Sequence, residues 1–446
     1  MMRIAETKGK APYGNYIKIG KPRIVNDNCS TKQKREEVSR LEADSEWCFE
    51  GEIIKKTIFY EVDTKYGKYL SDERSDAFIL ALVELGMQKK ADIYYDAPMS
   101  EDLKYQLENH LIPVYAKNIT GMYRIQLYGS FTDEPIETEG VAGTGFSAGV
   151  DSFYSVLKHK DSEYKSRRVT HLVLAVNGAA NTGYTEEIDR EWYDDEMKRF
   201  KPLAEEMGLE LIGIYSNVSL ISKYKTKLRG GGGIVTSSFV HALRKLFGTY
   251  YWASGYSANE FKFDDIDSCY MEMFYIPLMS TCGLRFYVSG LEVNRPQKVA
   301  YIADFPVVQK GLTVCGGIKN CGICPKCTRT MAELYSLGKL EKFGSVFPVK
   351  EYMNNYPRKM ARELAQDHPP FTTDIIDSMK KNGKRIPVSS YVLSVLYYKP
   401  FFFLKKHLRN NHFFMNLYYN NGWKERLGEG KVDERRARAR FEGIDK

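Results

Sequence analysis

The spacing of apolar and polar positions changes character twice along this 446-residue chain. Up to about residue 139, short alternating runs surround one helical stripe. Glu52 to Val62 is β-branched and partly alternating, which predicts a strand. Between Arg74 and Lys90, Ala77, Phe78, Ala81, Leu82 and Leu85 share one face of a predicted helix. Ala91 to Tyr95 reads as a short strand, Ser100 as a helix cap and Met122 to Tyr128 as another strand. From Gly140 the apolar runs become continuous, as in parallel strands buried on both faces. His171–Gly178, Leu209–Tyr215, Tyr250–Tyr256 and Phe286–Gly290 are such runs. Predicted helices lie between them, ending near Lys160 and spanning Glu187–Met207 and Ile234–Phe247.

This alternation predicts an α/β fold with a doubly wound parallel sheet over residues 140–345. A mixed α/β domain is expected before it, at 1–139, and a helical, basic and aromatic extension after it, at 346–446.

The first strand-to-helix junction carries the richest chemistry. A strand-like Glu139–Thr144 leads into Gly145-Phe146-Ser147-Ala148-Gly149-Val150-Asp151-Ser152, and a helix-like Phe153–Lys158 follows. Small residues let the main chain approach an oxyanion, and the N–H groups of a first helical turn point at it. Ser147 and Ser152 add hydroxyls. Asp151 would repel a bare phosphate, so it reads as a Mg²⁺ ligand or a helix cap. An ordinary capped turn has the same look.

Other candidates are less specific. Ser254, Gly255 and Tyr256 end a strand at the carboxyl edge of the sheet, where ligands of open α/β folds sit. Arg229 and the glycines 230–233 open a helix that carries His241; this is a second anion site, a lid or a plain loop. Asp264, Asp265 and Asp267 form an acidic stretch, read as a surface loop before a metal contributor. Arg295 and Lys298 suit a pyrophosphate or a carboxylate, and equally a salt-bridged surface. Arg74 reads as a solvated helix start before a substrate contact.

Cys315, Cys321, Cys324 and Cys327 follow a C-x5-C-x2-C-x2-C spacing. Two thiolates on a tight knuckle aim at one ion, and four fill the tetrahedral preference of Zn²⁺ in a closed, structural site. An iron–sulfur cluster is the competing reading.

Ser147-Ala148-Gly149-Val150-Asp151-Ser152 resembles the Ser-Gly-Gly-x-Asp-Ser motif of PP-loop ATP pyrophosphatases. Ala148 stands where that motif has its first glycine, a change that costs little if φ is negative there. Together with the cysteine quartet, the motif resembles 7-cyano-7-deazaguanine synthases over about residues 140–340, in a longer bacterial branch of that superfamily. The resemblance implies an adenine nucleotide alpha hydrolase-like fold that binds ATP with Mg²⁺ and cleaves it to AMP and pyrophosphate. It further implies adenylation of a carboxylate or amide, which a nitrogen nucleophile then attacks. It places Val176, Asn177 and Gly178 near the adenosine, makes Asp151, Ser152, Arg295 and Lys298 catalytic candidates, and suggests a deazapurine-like substrate. Transfer of sulfur or nitrogen onto tRNA, and nucleotide binding without turnover, are the competing functions.

Composition narrows the field. Hydrophobic content of 43% and charged content of 27% describe a soluble globular chain. Eight cysteines are too few for a disulfide scaffold, and their clustering suggests metal in a reducing compartment. No secretory leader and no membrane-spanning run is read, so a cytoplasmic protein without a membrane partner is expected. The net charge of +8 suits anionic small molecules without demanding nucleic acid. The aromatic and basic Tyr391–Trp423 suggests a homodimer or protein-partner surface ahead of an RNA platform.

Overall fold

The computed structural model describes residues 14–27, 37–176, 186–224, 232–315, 319–366 and 370–408. The chain divides into two compact units. One holds residues up to 146 together with 155–291, and the other holds 147–154 together with residues from 292 onward.

The first unit is built on an eleven-stranded, mostly parallel sheet. Its early strands are β1 (Tyr16–Ile19), β2 (Arg23–Asp27), β3 (Val38–Phe49) and β4 (Glu52–Asp63). β3 and β4 form a long antiparallel pair from Val38↔Asp63 to Phe49↔Glu52. Leu41, Ala43 and Trp47 of β3 are buried, while the charged residues between them point outward, as a period of two requires. After helix α1 (Asp76–Lys89) come β5 (Asp92–Tyr95) and β6 (Met99–Ser100), then α2 (Glu101–Gln106) and α3 (Ile112–Asn118). β7 (Leu127–Tyr128) and β8 (Phe131–Thr132) follow. β6 and β8 pair in a small separate sheet.

Strand β9 (Val141–Gly145) precedes α4 (Val150–His159), and β10 (Val169–Val176) precedes α5 (Glu186–Glu206). β11 (Glu210–Ser216) precedes α6 (Gly233–Ala242), and β12 (Phe247–Ala253) precedes α7 (Glu272–Tyr275) and β13 (Arg285–Ser289). The sheet order is β13-β12-β9-β10-β11-β4-β3-β1-β5-β7, with β2 on β3. Counted from β9, the five parallel strands run 5-4-1-2-3, the doubly wound order. Its reversal of direction falls between β9 and β12, and ligands of such sheets bind outside the carboxyl ends at that reversal. Those two strands pack closely because Gly143 has no side chain: a Cβ there would lie 2.3 Å from the Phe247 ring.

Several boundaries differ from the sequence expectations. Only Leu127–Tyr128 of the predicted 122–128 strand is a strand; Tyr123 instead bonds through its N–H to the Met87 carbonyl. The helix expected to reach Phe247 stops at Ala242, and Phe247 opens β12. Ser100 precedes α2 without capping it by its side chain, since its hydroxyl binds the buried Asp76 carboxylate.

The second unit is helical beyond the loop that it contains. Its elements are α8 (Arg295–Ile302), α9 (Pro306–Gly311), α10 (Pro325–Ser336), α11 (Val349–Asn354), α12 (Tyr356–Ala365) and α13 (Phe371–Lys381). Then α14 (Val388–Leu393) continues through a π-helical turn at Ser394–Tyr398 into α15 (Lys399–Leu408). No described helix is long and apolar enough to cross a membrane.

Candidate phosphate loop and cysteine knuckle

In the second unit the bend at 147–152 is a built structure. The Ser147 N–H and hydroxyl both approach Ser152 Oγ at 3.4 Å, and Ser152 Oγ donates to the Gly149 carbonyl at 3.1 Å. The Thr313 N–H donates to the Ala148 carbonyl at 2.8 Å, which turns that carbonyl away from the bend. Ser147 is exposed and Gly149 and Asp151 are half-buried, so a ligand can reach the first turn of α4.

Ala148 has φ +51°, a left-handed conformation. The condition under which alanine would cost little there, a negative φ, is not met. A Cβ in that region meets the following carbonyl and costs about 1 kcal/mol or more. The position therefore has the geometry for which glycine is the ordinary choice.

Three of the catalytic candidates meet. Asn294 caps α8: its side chain accepts the Gln297 N–H, and the Gln297 side chain accepts the Asn294 N–H. That cap sets Arg295 and Lys298, three residues apart, on one face. Lys298 Nζ lies 3.1 Å from Asp151 Oδ1, and Arg295 Nη1 lies 3.4 Å from Oδ2. The Lys298 side chain is 1% exposed and that of Asp151 28%. Asp151 is thus held by two cations. It lies in the first turn of α4.

The ionic chain continues inward. Arg295 Nε lies 3.2 Å from Glu333 of α10, and its Nη2 donates to Thr330 Oγ1. Burial opposes the Arg295 charge, but Glu333 and Asp151 outweigh it and hold the guanidinium above its ordinary pKa. Glu333 is fully buried with neither carboxylate oxygen hydrogen-bonded, and burial pushes it up to about 7 against the pull of Arg295 and Arg329. Arg329 in turn faces the buried Glu363 of α12 at 3.5 Å.

The cysteine sulfurs all lie within 4.8 Å of one another, with Cys321–Cys327 and Cys315–Cys324 at 3.9 Å. A tetrahedron of bonds of about 2.3 Å places sulfurs ~3.8 Å apart, so the quartet fits a single ion. The four thiols titrate together: hydrogen bonds among them draw Cys315 and Cys321 below the usual thiol range and push Cys324 and Cys327 above it. Cys324 caps α10 by accepting the Cys327 N–H, and Cys321 Sγ accepts the Cys324 N–H. Gly322, at φ +71°, makes the turn; a Cβ there would strike Pro348 at 2.2 Å.

Asn320 was not anticipated. Its Oδ1 accepts from the Val314 and Cys315 N–H groups, and its Nδ2 donates to the Leu312 and Val346 carbonyls. It therefore ties the knuckle to residues 312–315, the segment whose Thr313 binds Ala148. Arg362 Nη1 donates to the Ile323 carbonyl inside the knuckle. A polar residue beside a cysteine carries no periodic signal, so sequence reasoning passed over both.

The remaining candidates belong to the first unit. Phe146 follows β9 and its N–H donates to the Val173 carbonyl. Val176 ends β10 and is buried; Asn177, Gly178, Arg229 and glycines 230–231 lie outside the described residues. The Ser254 hydroxyl donates to the Tyr256 carbonyl, the Gly255 N–H donates to Glu272, and Tyr256 stacks on Tyr270 at 3.9 Å. In the acidic stretch Asp264 accepts the Ile266 and Asp267 N–H groups, Asp267 accepts that of Cys269, and Asp265 accepts the Thr120 N–H. His241 is packed against Phe286 with Nε2 on the Met279 carbonyl, and burial lowers it to about 4. It is a neutral core histidine. The Arg74 guanidinium binds the Glu73 and Glu134 carbonyls.

Comparisons with family models, curated proteins and solved structures returned no match.

Proposed function

We propose that this protein is an ATP-dependent, PP-loop-type adenylating enzyme that releases AMP and pyrophosphate. The observation that carries the reading is the meeting of an accessible, glycine-like bend with Arg295 and Lys298 through Asp151.

In this reading the N–H groups of the first α4 turn and the Ser147 and Ser152 hydroxyls hold phosphate oxygens. Lys298 and Arg295, released from Asp151 by the arriving anion, offset charge that develops as the α–β phosphoanhydride bond breaks. Asp151 offsets part of the charge of that cation pair and holds it in position until then. A substrate carboxylate or amide oxygen attacks the α phosphorus, pyrophosphate leaves, and an amine or ammonia then displaces AMP. Mg²⁺ arrives with the nucleotide phosphates. Zn²⁺ is the ion proposed for Cys315, Cys321, Cys324 and Cys327, where it would supply folding energy and no chemistry. A deazapurine carboxylate is the first acceptor to test.

The test incubates the protein with ATP, Mg²⁺, ammonia and a panel of carboxylates that includes deazaguanine carboxylate. Equimolar AMP and pyrophosphate are expected with one acceptor. Release of ADP and phosphate in their place would count against the assignment.

A further inference from the structure

The helical run from Val388 to Leu408 buries Ser390, Ser394 and Tyr398 on α12, where Ala361 and Ala365 form the facing core and Leu393 and Phe402 pack partly against it. Its other large aliphatic and aromatic side chains point to solvent: Val388 is 78% exposed, Leu396 74%, Phe403 62% and Val395 56%. With Tyr391 and Val392 also exposed, these fall at helical spacing, so they make one continuous face. A helix stabilised in water by its own fold buries the large residues and exposes the serines. Here Ser390 and Ser394 face inward four residues apart, as Ala361 and Ala365 do. Small residues between helices and large apolar residues outside are the arrangement of helices that face lipid.

The charge pattern names the surface. From Ser378 to Lys424 the chain has nine lysines and arginines and no aspartate or glutamate. We infer that Val388–Leu408 docks on an anionic membrane surface, lying in the interface with its apolar face among the acyl chains. No described helix is long and apolar enough to span, so the contact is peripheral. A second copy of the chain is disfavoured because the same cations would meet across a two-fold axis without a compensating acid. RNA is disfavoured because four of the six exposed side chains named, Val388, Val392, Val395 and Leu396, are aliphatic, whereas bases stack on rings. The proposal differs from the expectation of no membrane partner, and it does not depend on the nucleotide reading.

The test is co-sedimentation of the full chain with vesicles of phosphatidylcholine alone and of phosphatidylcholine with phosphatidylglycerol. Binding is expected only to the anionic vesicles, and weaker as salt rises. The paired change Val395→Glu and Leu396→Glu, on exposed positions, is expected to lower it at least about tenfold while leaving the circular dichroism spectrum unchanged. Absence of vesicle binding by the full chain would overturn the proposal. Unaltered binding by the variant would also overturn it. So would a variant that dissolves a dimer or abolishes an RNA gel shift without affecting vesicle binding.

Discussion

Replacing Asp151 by Asn probes the junction of loop and cations, because the amide keeps the shape and removes the charge. At 3.1 and 3.4 Å from Lys298 and Arg295, each attraction is roughly 5 kcal/mol at an effective dielectric of about 20, before desolvation. Most of that is offset by the cost of burying the three groups. What remains on deletion is the penalty of a buried cation with a lost partner, about 3–5 kcal/mol for a fully buried pair. Asp151 is 28% exposed, so solvent reduces this, and a loss of about 2–3 kcal/mol is expected. That corresponds to a fall in melting temperature of roughly 4–12 °C. Bound inorganic pyrophosphate should tighten, since the anion no longer competes with a carboxylate for Lys298 and Arg295. Adenylation should fall to background, and metal content should stay unchanged. Thermal unfolding with and without pyrophosphate reads both effects. An unchanged melting temperature together with weaker pyrophosphate binding would refute the reasoning.

Ala148→Gly should raise stability by about 0.5–1 kcal/mol, because relief at φ +51° exceeds the added entropy of the unfolded chain; a fall in melting temperature would show the bend is not strained. Cys324→Ser, or removal of metal by a chelator, should lower the metal content and unfold α10 and the knuckle, read by circular dichroism and metal analysis; a fully stable metal-free protein would argue against a structural ion. Glu333, raised from 4.5 to about 7 by burial, binds its proton more tightly in the native state than in the unfolded chain. Stability should therefore decline as pH rises from about 4.5 to 7, by roughly 3 kcal/mol. Glu333→Gln should remove that part of the slope, and parallel wild-type and variant denaturation curves across this window would contradict the assignment.

The continuous strands after residue 140 were legible because a parallel sheet buries both faces, leaving apolar runs that stand out, as in β10 and β11. β3 was missed although Leu41, Ala43, Ser45 and Trp47 alternate inward; Arg40, Glu42, Asp44 and Glu46 between them make the stretch look like a polar loop. Spacing alone disclosed the cysteine quartet. The partnership of Asp151 with Arg295 and Lys298 was beyond reach, since those residues lie 144 and 147 positions away and no periodicity links them. The left-handed φ of Ala148 carries no sequence signal, and the Thr313 N–H that binds its carbonyl comes from a distant segment. The aromatic and basic stretch from Tyr391 reads as an interaction surface in sequence; only packing tells which of its side chains are outside.

The central claim is that phosphates of ATP occupy the bend at 147–152. Calorimetric titration of ATP with Mg²⁺ into wild type and Gly149→Glu tests it directly. Gly149 has only Ser147 Oγ and the Thr313 carbonyl near its Cβ position, at 3.3 and 3.8 Å, so the variant places a carboxylate in the bend with little rearrangement. One ATP per wild-type chain, and none bound by a variant of equal metal content, is the result the account predicts. Equal affinity in both proteins would contradict it.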